Sequence, residues 1–229
     1  MRPSLMARRT QPRLSASGVC ASVSVEFEAT GEQPPLGDSS QPIEESPVAR
    51  GFHGTSVVAA RAILDSGFVA SANEYDWLGD GIYFFQDAPG RALEWASELH
   101  DEPCVVACEI SLDNCMDLLD INWFSFLNEA FDRYVARCKR LGIALPRQTA
   151  GAHRLDRAVI NYAADLLAAS GSPIRSVRGA FAEGRSVFPE SALLDRSHVQ
   201  IAVRDPTVIL SVQEASAPWL LEPRKDGGR

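Results

Sequence analysis

Phe52-His53-Gly54-Thr55 and, further along, Asp76-Trp77-Leu78-Gly79-Asp80-Gly81-Ile82-Tyr83-Phe84-Phe85 decide how this chain is read. The first segment sets an imidazole beside a glycine, where a backbone can approach a ligand without a side chain in the way. The second ends in a run whose alternation along a strand buries Ile82 and Phe84 on one face and sends Tyr83 to the other. Between the two, Ser56 to Phe68 reads as a capped amphipathic helix closed by Gly67. After them, Asp87 is expected to cap a second helix, Ala88 to Leu99, which carries Ala92 and Trp95. Pro103 to Leu118 follows as a core strand and turn.

Strand, helix, irregular loop, strand, helix, strand is the front half of a split mixed sheet. Residues 123 to 141 predict a helix on Trp123, Phe126, Leu127, Phe131 and Tyr134, and 153 to 169 another on Leu155, Val159, Tyr162, Leu166 and Leu167; most of these aromatics read as core stripe. Strands return at Ile174 to Phe181, Ser197 to Arg204 and Thr207 to Val212, with Pro206 allowing a break between the last two. The expected fold is α+β, a split mixed β-sheet core with flanking helices. Residues 50 to 212 make the folded domain. Residues 1 to 49, rich in Ser, Pro, Gly, Gln and Glu, read as a disordered segment, with Ala21 to Phe27 alternating well enough for one short strand. Residues 213 to 229 read as a flexible tail.

The 229 residues carry 22 basic and 30 acidic side chains, a formal charge of −8, so the chain has no global attraction for phosphate backbones and a nucleic acid would have to be gripped locally. Five cysteines without a Cys-x-x-Cys pair argue against a disulfide framework and against a zinc site; no metal is expected. Cys104 and Cys108, four apart on one strand face, read as core packing. No apolar run approaches the ~20 residues of a membrane helix and no clear secretory signal precedes the domain, which points to the cytoplasm. Arg2, Arg8, Arg9 and Arg13, with no acid through residue 25, also resemble an organelle transit peptide.

In this order and spacing, His53-Gly54-Thr55 and Gly81-Ile82-Tyr83-Phe84 resemble the ADP-ribosyltransferases of the diphtheria-toxin and poly(ADP-ribose) polymerase branch, the His-Tyr-Glu type. The helix after Thr55, Asp76-Trp77, the small Ala92 with Trp95, and Pro103 to Leu118 continue the likeness in the family's order. The resemblance covers about residues 50 to 212. It implies an ADP-ribosyltransferase-like catalytic domain that uses NAD as co-substrate.

Breaking the nicotinamide glycosidic bond passes through an oxocarbenium-like ribose, so a site for it must grip the carboxamide and stabilise positive charge. By the resemblance, Gly54 offers its backbone N–H and C=O to the carboxamide, beside Thr55, and His53 donates to a ribose hydroxyl of the adenosine half. Tyr83 stacks on the nicotinamide ring with Trp95 closing the other face, and Phe68 and Ser71 line the adenine side. Asp76 and Asp80 read equally as turn formers and as ligands. Arg154, Asp156 and Arg157 read as a solvated helix face or as a basic and acidic face beside the site.

The third catalytic position departs from the pattern. The family's glutamate opens a late strand; in Ser197-His198-Val199-Gln200-Ile201 its place falls to Gln200. Glutamine keeps a hydroxyl hydrogen bond but loses a unit charge near the cation. That charge is worth roughly 4 kcal/mol at about 4 Å and an effective dielectric of about 20, on the order of a thousandfold in rate. Glu183, in the loop before that strand beside Gly184, is the nearest carboxylate to replace it, and His198 lies on the same strand face as Gln200.

Two functions are open from here. One is a mono-ADP-ribosyltransferase acting on a macromolecular acceptor, protein or nucleic acid, with a toxin or defence effector and an antitoxin or immunity partner as its setting. The other is a catalytically inactive module of the same fold that binds NAD, ADP-ribose or nucleic acid. His198-Val199-Gln200 lacks the Glu-x-Glu pair of the arginine-modifying branch.

Overall fold

The computed structural model describes residues 47–71, 73, 76–149 and 152–215, all within the unit Glu44–Arg229. The expected strand at Ala21 to Phe27 and most of the expected tail lie outside the described residues.

The elements run β1 (Val48–Ser56), α1 (Val57–Ser66), β2 (Ile82–Gln86), α2 (Pro89–Leu99), β3 (Pro103–Ser111), β4 (Cys115–Asp117), α3 (Trp123–Leu141), α4 (Arg154–Ala169), β5 (Ser176–Phe181), β6 (His198–Val203) and β7 (Ile209–Glu214). The strands form one seven-stranded sheet in the order β4-β5-β6-β2-β1-β3-β7, in which only β4 and β5 pair in parallel. The class is therefore α+β with a mixed sheet. A 3₁₀ turn at Pro206–Val208 separates β6 from β7, where proline removes a ladder donor. β1 starts at Val48 and β7 runs to Glu214, so the ordered strands overrun both expected domain limits by two residues.

Alternation along the strands builds the core as the apolar pattern requires. Ile82 and Phe84 of β2 join Val106, Ile110 and Ile201 on one face, covered by Ala60 of α1. On the opposite face Phe52, Phe85, Val105 and Ala107 pack against Ala92 of α2, while Met116, Val177 and Ala202 meet Ala130 of α3 and Ile160 and Ala163 of α4. Phe84 is wholly buried, worth about 1.5–3 kcal/mol of transfer free energy. Cys104 and Cys108 are buried in the first cluster, and burial pushes the Cys108 thiol up to about 12.

The helix ends follow local chemistry. Ser56 Oγ accepts from the Ala59 amide at 3.2 Å, and Gly67, at φ +85°, donates back to the Ile63 carbonyl. The expectation for Asp87 is corrected: Ala88 is the N-cap of α2, without a side-chain cap, and Pro89 starts the helix. Asp87 sits at φ 50° in the turn after β2, with its carboxylate 2.9 Å from Arg50 of β1.

The joint between β1 and β2 places the site. β1 pairs with β3 over its whole length and β2 with β6 over five residues, but β1 and β2 share only Gly51↔Gln86 and Phe52↔Phe85. Beyond those two rungs the neighbouring strands part, with His53 and Gly54 on one lip and Tyr83 on the other.

Candidate active site

A cleft of about 670 Å³ occupies that opening. β1 lends it His53 and Gly54, β2 Tyr83, α2 the stripe Arg91, Trp95 and Leu99 at four-residue spacing, and β6 Gln200. Phe181 closes β5 into the cleft, with Glu183 in the loop after it. Ser71, Asp76 and Trp77 come from the segment between α1 and β2, and His153 from the start of α4. A smaller cavity of about 290 Å³ between α3 and α4 contains none of the motif residues.

His53 is held by the opposite lip. Its Nδ1 lies 2.8 Å from the Tyr83 carbonyl oxygen, which can only accept, so Nδ1 carries the proton and Nε2 is left as an acceptor. Burial holds the imidazole below its ordinary pKa, so the ring is neutral near pH 7. On this side His53 therefore offers an acceptor to the cleft and not the donor that was expected. Phe68 packs edge-on to His53 at 5.4 Å and to Phe84 at 5.2 Å, so it supports the imidazole from the core and does not line the cleft. Thr55 is buried opposite Cys104 and also stays out of the cleft.

Gly54 does line it, and its lack of a side chain has a packing cause as well. A Cβ there would stand 2.1 Å from the Ala92 carbonyl oxygen, because α2 lies directly on β1 at this point. Tyr83 Oη accepts from the Leu78 amide at 2.9 Å and donates to the Gly79 carbonyl at 2.8 Å. With both capacities used, and burial holding the phenol far above its ordinary pKa, Tyr83 offers its ring and not its proton. Trp95, 38% exposed, presents an open indole from α2.

Asp76 is buried, and its Oδ2 accepts from Ser71 Oγ at 2.7 Å and from the Asn73 amide at 2.6 Å; desolvation raises its pKa against those bonds. Asp76 therefore shapes the turn, as one of its two expected readings held. Ser71 borders the cleft with its hydroxyl hydrogen on Asp76 and its oxygen accepting from Asn73 Nδ2. Asp80 lies 2.6 Å from Arg157 of α4 and outside the cleft lining.

At the third position Gln200 is fixed at both ends. Trp77 Nε1–H donates to Gln200 Oε1 at 2.6 Å, and Gln200 Nε2 donates to His198 Nε2 at 2.8 Å. His198 can accept because its Nδ1–H is given to the Arg196 carbonyl at 2.6 Å; burial lowers its pKa and keeps it neutral. Trp77 in turn lies on Phe181 at 5.2 Å. Glu183 is 2.9 Å from Arg91, whose guanidinium also reaches Glu94 at 2.5 Å and rests over the Phe85 ring.

His53, Gly54, Ser71, Tyr83, Trp95, Glu183 and Gln200 thus border one cleft, and Thr55 and Phe68 do not. Arg91 and Phe181 escaped sequence reasoning, and Trp77 was noticed only as part of a turn. A signal for Arg91 existed, since it precedes Trp95 by four residues and so shares its helix face. Among the described residues no group of His, Cys, Asp and Glu is placed to hold a metal ion, and no helix is long and apolar enough to cross a membrane. No protein-family model matches the chain, and neither the curated proteins nor the solved structures contain a match to it.

Proposed function

We propose that the cleft binds NAD and that the protein transfers ADP-ribose to a macromolecular acceptor, protein or nucleic acid, with release of nicotinamide. One observation carries the reading: side chains from β1, β2, α2 and β6, chosen for one chemistry, border a single opening where the sheet parts. The parting of β1 from β2 also suits the split sheet that the resemblance implies.

In this reading Gly54 meets the carboxamide through its backbone, Tyr83 and Trp95 hold the nicotinamide ring, and His53 Nε2 accepts from a ribose hydroxyl. Gln200 orients the second ribose through its remaining amide hydrogen. Glu183 is the carboxylate that offsets the cationic sugar; it lies in the same cleft and is 36% exposed in its side chain. Attack by the acceptor nucleophile forms the new C1′ bond as the C–N bond to nicotinamide breaks; the electron pair leaves with nicotinamide and the nucleophile's proton passes to solvent.

A second reading rests on the third position. Gln200 is neutral and tied to Trp77 and His198, so no formal charge comes from β6. A protein that only binds NAD or ADP-ribose fits that arrangement. Incubation with NAD labelled in its adenylate half and a cell extract separates the two, with His53→Ala as control. Label in one macromolecular fraction, with nicotinamide released and both absent from the control, is the expected result. Tight NAD binding without turnover would establish the binding module, and no binding of either NAD or ADP-ribose would end both readings.

A further inference from the structure

Arg91 is the only arginine or lysine among the described residues that line the cleft. Its side chain is 12% exposed, against 19% to 63% for Arg50, Arg133, Arg157, Arg175, Arg178 and Arg196 in the other ion pairs. It is not a solvated surface charge that happens to sit near an opening. Three contacts orient it: Glu94 one turn along α2, Glu183 from the loop after β5, and the Phe85 ring beneath. Even so, its Nε–H is buried with no hydrogen-bond partner among the described residues. A guanidinium with a donor left over can take up a further anionic oxygen.

The two carboxylates are not equivalent. Glu94 belongs to the same helix as Arg91 and also bonds Arg196, which fixes it from the far side. Glu183 follows the strand end at Phe181, beside Gly184, which adopts φ +101°. Its contact with Arg91 joins a helix to a loop, and it is the contact a ligand can displace.

We infer that Arg91 is the residue that reads a diphosphate in this cleft, exchanging its Glu183 partner for the phosphate oxygens of the bound dinucleotide. The inference rests on the NAD reading above and adds to it a residue outside the resemblance. A planar guanidinium suits paired phosphate oxygens. Arg91 stands one helical turn, roughly 6 Å along the axis, from Trp95, which leaves a sugar's room between the ring held by Trp95 and the phosphates. The exchange also frees Glu183 at the moment the ligand is seated. In the empty cleft its charge is spent on Arg91; in the filled cleft it faces the ribose. Occupation of the site and availability of the carboxylate become one event.

Calorimetric titration of the full chain with ADP-ribose and with adenosine, which lacks phosphates, tests this. Arg91→Gln is expected to weaken ADP-ribose binding about tenfold or more and leave adenosine unchanged. Glu183→Gln is expected to tighten ADP-ribose by roughly threefold to tenfold, since it removes the competing anion from a partly exposed pair, again with adenosine unchanged. A merely structural ion pair gives no such tightening. Equal losses for both ligands in Arg91→Gln, or weaker ADP-ribose binding in Glu183→Gln, would overturn the assignment and leave the NAD reading standing. A wild-type chain that binds neither ADP-ribose nor NAD would overturn both. If Arg91→Gln fails to fold, the sign of the Glu183→Gln effect decides.

Discussion

The two walls of the cleft are built differently. On the β1–β2 wall, every polar side chain named in the site is tied to main chain: His53 to the Tyr83 carbonyl, Tyr83 to Leu78 N–H and Gly79 C=O. On the wall made by β6 and the loop after β5, side chains hold side chains: Trp77 to Gln200, Gln200 to His198, Glu183 to Arg91. Main-chain anchoring fixes a group to the sheet itself. Side-chain anchoring fixes it only as long as its partners stay. In the proposed function the first wall is a template for the ligand, and the second is where charge is rearranged when it arrives.

The contrast can be broken at several points. Gly54→Ala should have the largest effect, because its Cβ meets a backbone oxygen of α2 and no flexible side chain can yield. A loss of about 3 kcal/mol in denaturant unfolding is expected, with the α2 stripe displaced from the cleft. Tyr83→Phe should come next. It strips the Leu78 N–H and the Gly79 C=O of their partner, at about 2 kcal/mol. A melting curve unchanged from wild type would mean that this wall is not anchored as described.

On the second wall, Gln200→Glu places a carboxylate where His198 Nε2 now accepts a hydrogen bond. The imidazole should then move from below its ordinary value of about 6.5 to above it, a reversal worth about 1.4 kcal/mol per unit, read from the His198 ring signals by NMR. A His198 that still titrates low would show that the Gln200–His198 contact is not formed. The smallest effect concerns acidity. His53 and His198 both have folded pKa values below the unfolded value of about 6.5. Between those values the unfolded chain binds protons that the folded chain refuses, so stability rises with pH across that window and is lost on acidification below about 6.5. Urea unfolding at pH 7.5 and 5.5 should show a loss of about 1 kcal/mol, smaller in His198→Gln.

The same division governs what was legible in the sequence. The β1–β2 wall could be read because its determinants are local: a strand alternation, a Ser56 cap, a Gly67 stop. α3 was predicted at its full extent, since a long apolar stripe is a strong periodic signal. β4 was not, because three residues from Cys115 to Asp117 become a strand only by pairing with β5 far along the chain. Asp87 was misplaced because an acid before a helix is normally a cap, and here Arg50 on the neighbouring strand holds it instead. Phe68 and Thr55 were assigned to the ligand by likeness, though one is a prop for His53 and the other a buried strand residue. Arg91 and Trp77 act through partners distant in sequence, Glu183 and Gln200, and no local pattern announces such partners.

The β2–β6 ladder carries a consequence for the order of assembly. β1, β2 and β3 are nearer to one another in the chain than β2 is to β6, and their antiparallel pairings close shorter loops. Joining β6 to β2 requires the chain to return across α2, β3, β4, α3, α4 and β5 before Tyr83 meets Ala202. Loop closure over that span is the slow entropic step in a fold of this topology. A nascent chain can therefore pair β1 with β3 before β6 is made, but Tyr83, which lies beyond the two rungs joining β2 to β1, meets its strand partner only when β6 arrives, and the cleft is complete only once almost the whole domain has been made.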